Sequence, residues 1–151
     1  MITIQHESLV NVKNDIKPLL EEHWKLVALN QGKIKLNPDW KQYSKLDAEG
    51  TLKIFTARDD KELVGYFVLV VSKSLHYQDH YFAVNDVIFV KPDKRAGATG
   101  YKLIKYAEDY CRKNGVSLMI INTKVHIPFD KLMSRMGFGL IERVYSKFLG
   151  K

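Results

Sequence analysis

The sequence is poor in cysteine. Cys111 is the single cysteine among 151 residues, so the chain cannot form an internal disulfide, and no cysteine or histidine spacing matches a zinc site. Cys111 falls on the apolar side of a predicted helix. We expect a buried thiol there rather than a nucleophile, because reactive thiols need a polar, electropositive surrounding. The fold is therefore expected to depend on an apolar core, with neither disulfides nor metal.

Targeting and membrane signals are also missing. Residues 1–7 contain no basic stretch followed by an apolar run, which a signal peptide would require. No apolar run is long enough to cross a bilayer. Repeats, low-complexity segments and linkers are absent as well. These observations favour one domain over residues 1–151, located in the cytoplasm and without a membrane partner.

The chain has few acids relative to its bases. It carries 24 Lys and Arg residues against 17 Asp and Glu residues, for a formal net charge of +7. Such a balance favours an anionic partner. Nucleic acid is one alternative, but the lysines are interleaved with acids along the whole chain and no nucleic-acid motif is present. A solvated basic surface with an anionic ligand is the preferred interpretation.

Hydrophobic periodicity and turn residues predict alternating strands and helices, which is an α/β (α+β) organisation. The predicted strands are Ile2–Gln5, Leu52–Ala57, Leu63–Val71, Tyr81–Val90, Ser117–Asn122 and one within Leu140–Leu149. The predicted helices are Leu9–Asn30, a short one after Asn37 and Pro38, Tyr101–Asn114, and one opened by Ile127 and Pro128.

The segment from Ile88 to Gly100 predicts a phosphate site, because it leads from an apolar strand through a turn of small residues into a helix. Small side chains let backbone N–H groups approach an anion, and the helix adds the positive end of its dipole. Arg95 adds a formal charge, and Thr99 is the predicted N-cap. Neither common nucleotide-binding glycine pattern occurs.

This segment resembles motif A of the GNAT superfamily of N-acetyltransferases, Val-x-Pro-x-x-Arg/Gln-x-x-Gly-x-Gly/Ala. Val90, Pro92, Arg95 and Gly100 match the pattern, and Ala98 replaces its first glycine. A second resemblance is in residues 129–138, which are similar to the family's helix ending in Gly-Phe. The order of predicted elements also matches, which implies a GNAT fold with a mixed central sheet of about six strands flanked by helices.

A narrower resemblance is to small acetyltransferase-like proteins encoded by bacteriophages. It depends on the short segments Glu22-His23-Trp24, His76-Tyr77 and Asn85-Asp86. If the chain is phage-encoded, its location would be the host cytoplasm.

The family resemblance implies acetyl-CoA as co-substrate, with backbone amides of motif A holding its pyrophosphate. The residues expected to contact it are Phe89, Val90, Arg95, Ala96, Gly97, Ala98, Thr99, Gly100 and Phe129. The implied reaction is direct acetyl transfer, in a ternary complex, to a primary amine of a small molecule or protein.

Acyl transfer to an amine needs a group that accepts a proton. Asp86 is one candidate, since it lies in the central strand on the face predicted to hold Ile88 and Val90; the alternative is a carboxylate paired locally at a bulge. His76 and His80 are further candidates in the loop before that strand, or else belong to an exposed hairpin loop. His23 is interpreted as a helix-face residue, unless its helix lines the acceptor cleft.

Met133 stands where many family members have a tyrosine that protonates the leaving thiolate, and a thioether has no proton to donate. His126 and Tyr145 are weaker candidates for that role. Two other functions therefore stay open: a catalytically idle CoA-binding or interaction module, and a basic nucleic-acid-associated protein. The predicted closing strand would leave an unpaired edge, so we also expect a homodimer.

Overall fold

A mixed five-stranded sheet organises the protein, and its strands lie side by side in chain order. The computed structural model describes residues 1–151. The strands are β1 (Ile2–Glu7), β2 (Leu52–Asp59), β3 (Glu62–Lys73), β4 (Tyr81–Val90) and β5 (Val116–Ile120). Neighbours from β1 to β4 pair antiparallel, whereas β5 pairs parallel to β4. A parallel pair requires a crossover, which the long connection after β4 supplies.

Four helices cover the sheet: α1 (Leu9–Val27), α2 (Trp40–Ala48), α3 (Thr99–Lys113) and α4 (Asp130–Arg135). A short 3-10 turn, Pro92–Lys94, lies between β4 and α3. Asp39 caps α2, because its side chain accepts a hydrogen bond from the Gln42 N–H.

The two faces of the sheet bury separate apolar clusters. On one face α1 contributes Leu9, Val12, Ile16 and Leu19, whose spacing of three and four residues forms a single helical stripe. This stripe packs with Tyr66 and Phe89 of the sheet. On the other face the core contains Leu103, Ile104 and Ala107 of α3 and Met133 of α4, together with residues of the central strands. Each face of β4 therefore meets a different set of helices.

β4 and β5 separate part of the way along β4. They pair only over Tyr81–Val84, and β5 ends at Ile120. At the fork the Asn122 N–H donates to Asn85 Oδ1 at 2.8 Å, and the amide of Asn85 reaches back to the Asn122 carbonyl. Beyond Asn85, β4 is bonded to β3 alone, so its outer edge is open.

The predicted closing strand is wrong. Residues 139–151 form no strand, and most of their apolar side chains are exposed, as at Leu140, Val144 and Tyr145. Their composition suits a strand, but a strand persists only when a neighbour bonds to its backbone, and this segment has no such neighbour. The sheet consequently has five strands where about six were expected. Phe148 packs under the ammonium of Lys33, 4.8 Å from the ring centre.

Candidate functional site

The open edge of β4 presents backbone groups that the sheet does not use. The Lys91 N–H donates to the Val64 carbonyl of β3 at 2.9 Å. Because successive residues of a strand point their backbone groups to opposite edges, the N–H groups of Val90 and Ile88 face outward, toward the gap beside β5. The Val90 carbonyl confirms this direction, since it accepts a hydrogen bond from Arg95 Nε at 2.7 Å. An N–H group that could polarise a ligand carbonyl at this edge is therefore that of Ile88 or Val90 and not that of Lys91.

The turn after β4 has backbone N–H donors that the protein itself does not use. None of the N–H groups from Ala96 to Tyr101 donates to an acceptor within the protein, and the first bond of α3 runs from the Lys102 N–H to the Ala98 carbonyl. These free donors gather at the N-terminus of α3, where the helix dipole adds positive potential. The arrangement suits a phosphate group.

The small residues of this turn leave it open. A Cβ added at Gly97 would meet nothing within 4 Å, and one at Gly100 would meet only Leu132 Cδ2 at 3.9 Å. Neither glycine has a positive φ. The protein's own packing therefore does not require glycine here, whereas a ligand in close contact with the backbone would. Ala98 has φ −90°, so the departure from the motif costs no backbone strain. The turn therefore has room for a ligand that contacts its backbone closely.

Most lysines near the turn are already paired. Lys91 contacts Glu62 at 2.6 Å, Lys94 contacts Asp59 at 2.8 Å and Lys105 contacts Asp109 at 3.0 Å. The Arg95 side chain bonds only to the Val90 carbonyl, and its guanidinium lies 5.4 Å from the centre of the Phe89 ring. The Arg95 guanidinium is therefore not paired with a carboxylate.

Three residues expected to contact the cofactor have side chains that pack within the protein. Thr99 is the buried first residue of α3, so the prediction that it is the N-cap is wrong. Ala98 occupies the N-cap position and makes no side-chain capping bond. Phe89 points its ring to the α1 face, and its backbone groups face β3, because they alternate in direction with those of Ile88 and Val90. Phe129 packs on the α3 side, at the start of α4.

Asp86 is the extra residue of a β-bulge in β4. Val87 pairs with Val68 and Asn85 with Leu69, so Asp86 has no partner in β3. Its Oδ2 accepts a hydrogen bond from the Tyr43 hydroxyl of α2 at 2.5 Å. Ile88 and Val90 pack against the α3 cluster instead. The expectation that Asp86 shares their face is wrong, because the inserted residue shifts the alternation.

A second polar pair, which the sequence interpretation missed, lies on the α1 side of the sheet. His23 stacks on Phe89, with ring centres 4.8 Å apart and planes 17° from parallel. His23 Nδ1 and the Tyr66 hydroxyl are hydrogen bonded at 3.2 Å. Burial, helped by the positive charges of Arg95 and Lys124, lowers the pKa of His23 to about 4. The sequence did contain a signal for this position. Residue 23 continues the spacing of Ile16 and Leu19, which predicts that His23 faces the sheet.

The two loop histidines lie elsewhere. His80 precedes β4 and is hydrogen bonded to Ser117 Oγ of β5 at 2.8 Å. His76 is exposed beside Tyr77. At about 3.3 Å per residue, six residues of strand put His80 roughly 20 Å from Asp86. The structure therefore brings Asp86 near the open edge and leaves His76 and His80 at the closed end of the β4–β5 pair.

The remaining candidate residues lie in the core, beside the end of α1 or in the exposed C-terminal segment. Met133 is buried in the core against α3. His126 Nε2 donates to the Val27 carbonyl at the end of α1, at 2.9 Å. Tyr145 is exposed in the C-terminal segment. Cys111 is buried, and burial raises the pKa of its thiol to about 11, so it stays protonated near neutral pH. No helix has the length and apolarity needed to span a membrane.

Comparison with known proteins agrees with this architecture. A model of the acetyltransferase (GNAT) family matches residues 15–138. A ribosomal-protein-alanine N-acetyltransferase from Brucella melitensis biovar Abortus 2308 has a similar structure, with a TM-score of 0.74 and 21% identity, over 99% of this chain and 100% of that one. No curated protein has a significant match to the sequence.

Two other solved structures are similar over nearly their whole length. An aminoglycoside acetyltransferase from an uncultured soil metagenomic sample, in complex with sisomicin, gives a TM-score of 0.74 at 15% identity, over 99% of this chain and 95% of that one. A predicted acetyltransferase with acetyl-CoA from Clostridium acetobutylicum gives 0.71 at 9% identity, over 99% and 97%. At such identities the likeness concerns the fold.

Proposed function

Since the chain belongs to the acetyltransferase (GNAT) family, we propose that it transfers an acetyl group from acetyl-CoA to a primary amine, directly and in a ternary complex. The observation that carries this proposal is the row of free N–H groups from Ala96 to Tyr101 at the start of α3, beside the open edge of β4. A pyrophosphate held there would let the pantetheine arm, which carries the acetyl group, extend along β4.

The amine would approach from the α1 and α2 side of β4, because α3 covers the other face. Its nitrogen forms a bond to the thioester carbon while the carbon–sulfur bond breaks. An outward-facing N–H of Ile88 or Val90 would polarise the carbonyl oxygen. Asp86 would accept the proton that the amine loses, and the leaving thiolate would take a proton from water.

Met133 favours one competing function. With a buried thioether at the position of the usual acid, the protein could bind CoA as an idle interaction module. A thiol pKa near 8.5 makes an unprotonated leaving group tolerable, so we prefer the enzyme to the idle module.

Nucleic acid is the less favoured partner. A salt-dependent shift of DNA or RNA in a gel would support it.

Turnover decides between the enzyme and the idle module. Free CoA would be measured with acetyl-CoA and a panel of amines that includes an aminoglycoside, a polyamine and a peptide with a free N-terminus. Release above the amine-free rate, with the acetylated product seen by mass spectrometry, would support the proposal. Binding of acetyl-CoA without release, in the panel and in a host lysate, would favour the module.

We extend the proposal to location, and place the protein in the cytoplasm, where acetyl-CoA is available. The resemblance to phage proteins would make that the host cytoplasm. Fractionation of cells producing a tagged chain tests the location, and membrane or periplasmic recovery would contradict it.

A further inference from the structure

His23 and Tyr66 form a hydrogen-bonded pair on the α1 side of β4 that the acyl-transfer scheme does not use. Tyr66 is fully buried in β3, and His23 reaches it from α1. The imidazole lies against Phe89. Phe89 is adjacent to Val90, whose amide faces the open edge. The pair therefore borders the region where the acceptor amine would enter.

The hydrogen bond fixes the tautomer of His23. The Tyr66 hydroxyl has one hydrogen-bond partner in the protein, His23 Nδ1, and its side chain is shielded from solvent. A buried O–H donor left unpaired costs more than an acceptor lone pair left unpaired. The hydroxyl must therefore donate, which makes Nδ1 the acceptor. The ring proton then resides on Nε2.

His23 also stays uncharged at neutral pH, because burial, together with the charges of Arg95 and Lys124, lowers its pKa to about 4. Tyr66 keeps its proton, since burial raises the pKa of the phenol far above its usual value and the nearby carboxylates of Glu22 and Asp86 add to this. A neutral imidazole with a fixed N–H is a directional hydrogen-bond donor and a poor proton acceptor.

We propose that His23 donates its Nε2–H to an uncharged oxygen of the acceptor, so that the preferred substrate is an amine that also carries a hydroxyl or amide carbonyl group, rather than a plain alkyl amine or polyamine. The inference rests on the proposed function, whose acceptor side it specifies. Asp86 takes the reactive nitrogen and His23 an oxygen of the same molecule. A site that hydrogen-bonds a substrate oxygen discriminates against analogues that lack it.

The binding of amines that have the same shape, with and without an oxygen, tests the proposed preference without relying on turnover. Ethanolamine would be compared with propylamine, and glycinamide with isobutylamine, since methyl groups replace the oxygen-bearing groups in each pair. Binding to the protein saturated with CoA would be followed by nuclear magnetic resonance, together with the long-range nitrogen–proton correlations of the His23 ring. We expect a protonated Nε2 and an affinity about three- to tenfold higher for the oxygen-bearing amines, which is what one hydrogen bond provides.

Variants assign the preference to His23. His23→Ala should abolish the difference within each pair, whereas His23→Gln, whose amide N–H lies near the position of Nε2, should keep part of it. Tyr66→Phe should leave both tautomers populated. Glu21→Gln, at an exposed neighbour of the same helix, is the matched control and should change nothing. Thermal melting would confirm that each variant is folded.

Three results would overturn the proposal. The first is a His23 ring that is charged or protonated on Nδ1 at neutral pH, and the second is equal or undetectable binding of both amines in each pair. The third is a preference that survives in folded His23→Ala. Because these measurements need no acetyl transfer, they are independent of the turnover assay. A protein that binds as expected but releases no CoA would refute the proposed function alone.

Discussion

The Tyr43 hydroxyl donates to Asp86 Oδ2 at 2.5 Å, which ties α2 to the bulge of β4. Burial, reinforced by the hydrogen bond to Asp86 and by its charge, raises the pKa of Tyr43 well above its usual range. The phenol therefore stays protonated and donates across the neutral pH range. One oxygen of Asp86 is held in place while the other is free for a substrate.

Asp86→Asn should lower kcat by roughly 10²-fold or more, because the amide cannot accept the amine's proton. The affinity for acetyl-CoA, measured by calorimetry, should not change. Tyr43→Phe should have a smaller effect, since it removes only the hydrogen bond that orients the carboxylate. A wild-type rate in Asp86→Asn would refute this role. If His76→Ala or His80→Ala abolished turnover instead, the base would belong to the loop before β4.

Gly97→Val should weaken acetyl-CoA binding by at least tenfold while leaving the fold intact, because the added atoms project into the space a ligand would use and not into the protein. Gly32→Val is the matched control, since that glycine also has free space around it and belongs to the connection between α1 and α2, outside the turn. Gly100→Val should weaken binding as well. Unchanged affinity in both folded turn variants would contradict the anion site.

Arg95→Ala should cost about 1–3 kcal/mol of acetyl-CoA binding, the usual range for a charge-assisted contact. The loss should shrink as ionic strength rises, because salt screens the interaction. Calorimetric titrations at low and high salt would measure both effects. A loss that does not depend on salt would mean that Arg95 acts only by bracing the Val90 carbonyl.

Met133→Tyr should give little or no gain in kcat and should destabilise the fold by about 1–3 kcal/mol, because the larger ring must enter the packed cluster beneath α3. Met133→Leu, which conserves volume, should cost less than about 1.5 kcal/mol. Urea unfolding and steady-state rates would be compared. A large rise in kcat would show that the site lacks only a proton donor.

His23 should make the protein less stable as the pH falls from 6.5 to about 4. Above pH 6.5 the ring is neutral in both states, whereas below it the unfolded chain binds a proton that the folded protein resists. The free energy of unfolding should fall by at most about 3 kcal/mol across this window. Denaturant unfolding at several pH values would show a flatter profile for His23→Gln. Parallel profiles would contradict the lowered pKa.

The exposed C-terminal segment leads us to expect a homodimer, although it forms no strand in the single chain. Its apolar side chains and the unpaired outer edge of β5 are both available for another chain. Light scattering should show a dimer at high concentration, and deletion of residues 140–151 should give a monomer. A strict monomer at high concentration would contradict this.

Much of the fold could be predicted from the sequence because its signals are local. Small residues after an apolar strand mark the turn from Arg95 to Gly100, and spacing of three and four residues marks α1 and α3. The sequence also shows directly that position 133 has no proton-donating side chain, since this depends on one residue in a recognisable motif. The one predicted strand that the structure lacks is at 140–149. Its composition favours a strand, but no partner strand is present to bond with the segment.

The tertiary structure alone decided how the candidate site is arranged. One inserted residue in β4 turned Asp86 toward Tyr43, and the pairing between β3 and β4 that reveals this bulge joins distant parts of the chain. The stacking of His23 on Phe89 likewise depends on how α1 packs across the sheet. Sequence determines which groups are available through short-range periodicity, whereas contacts between distant segments determine which of them face the same space.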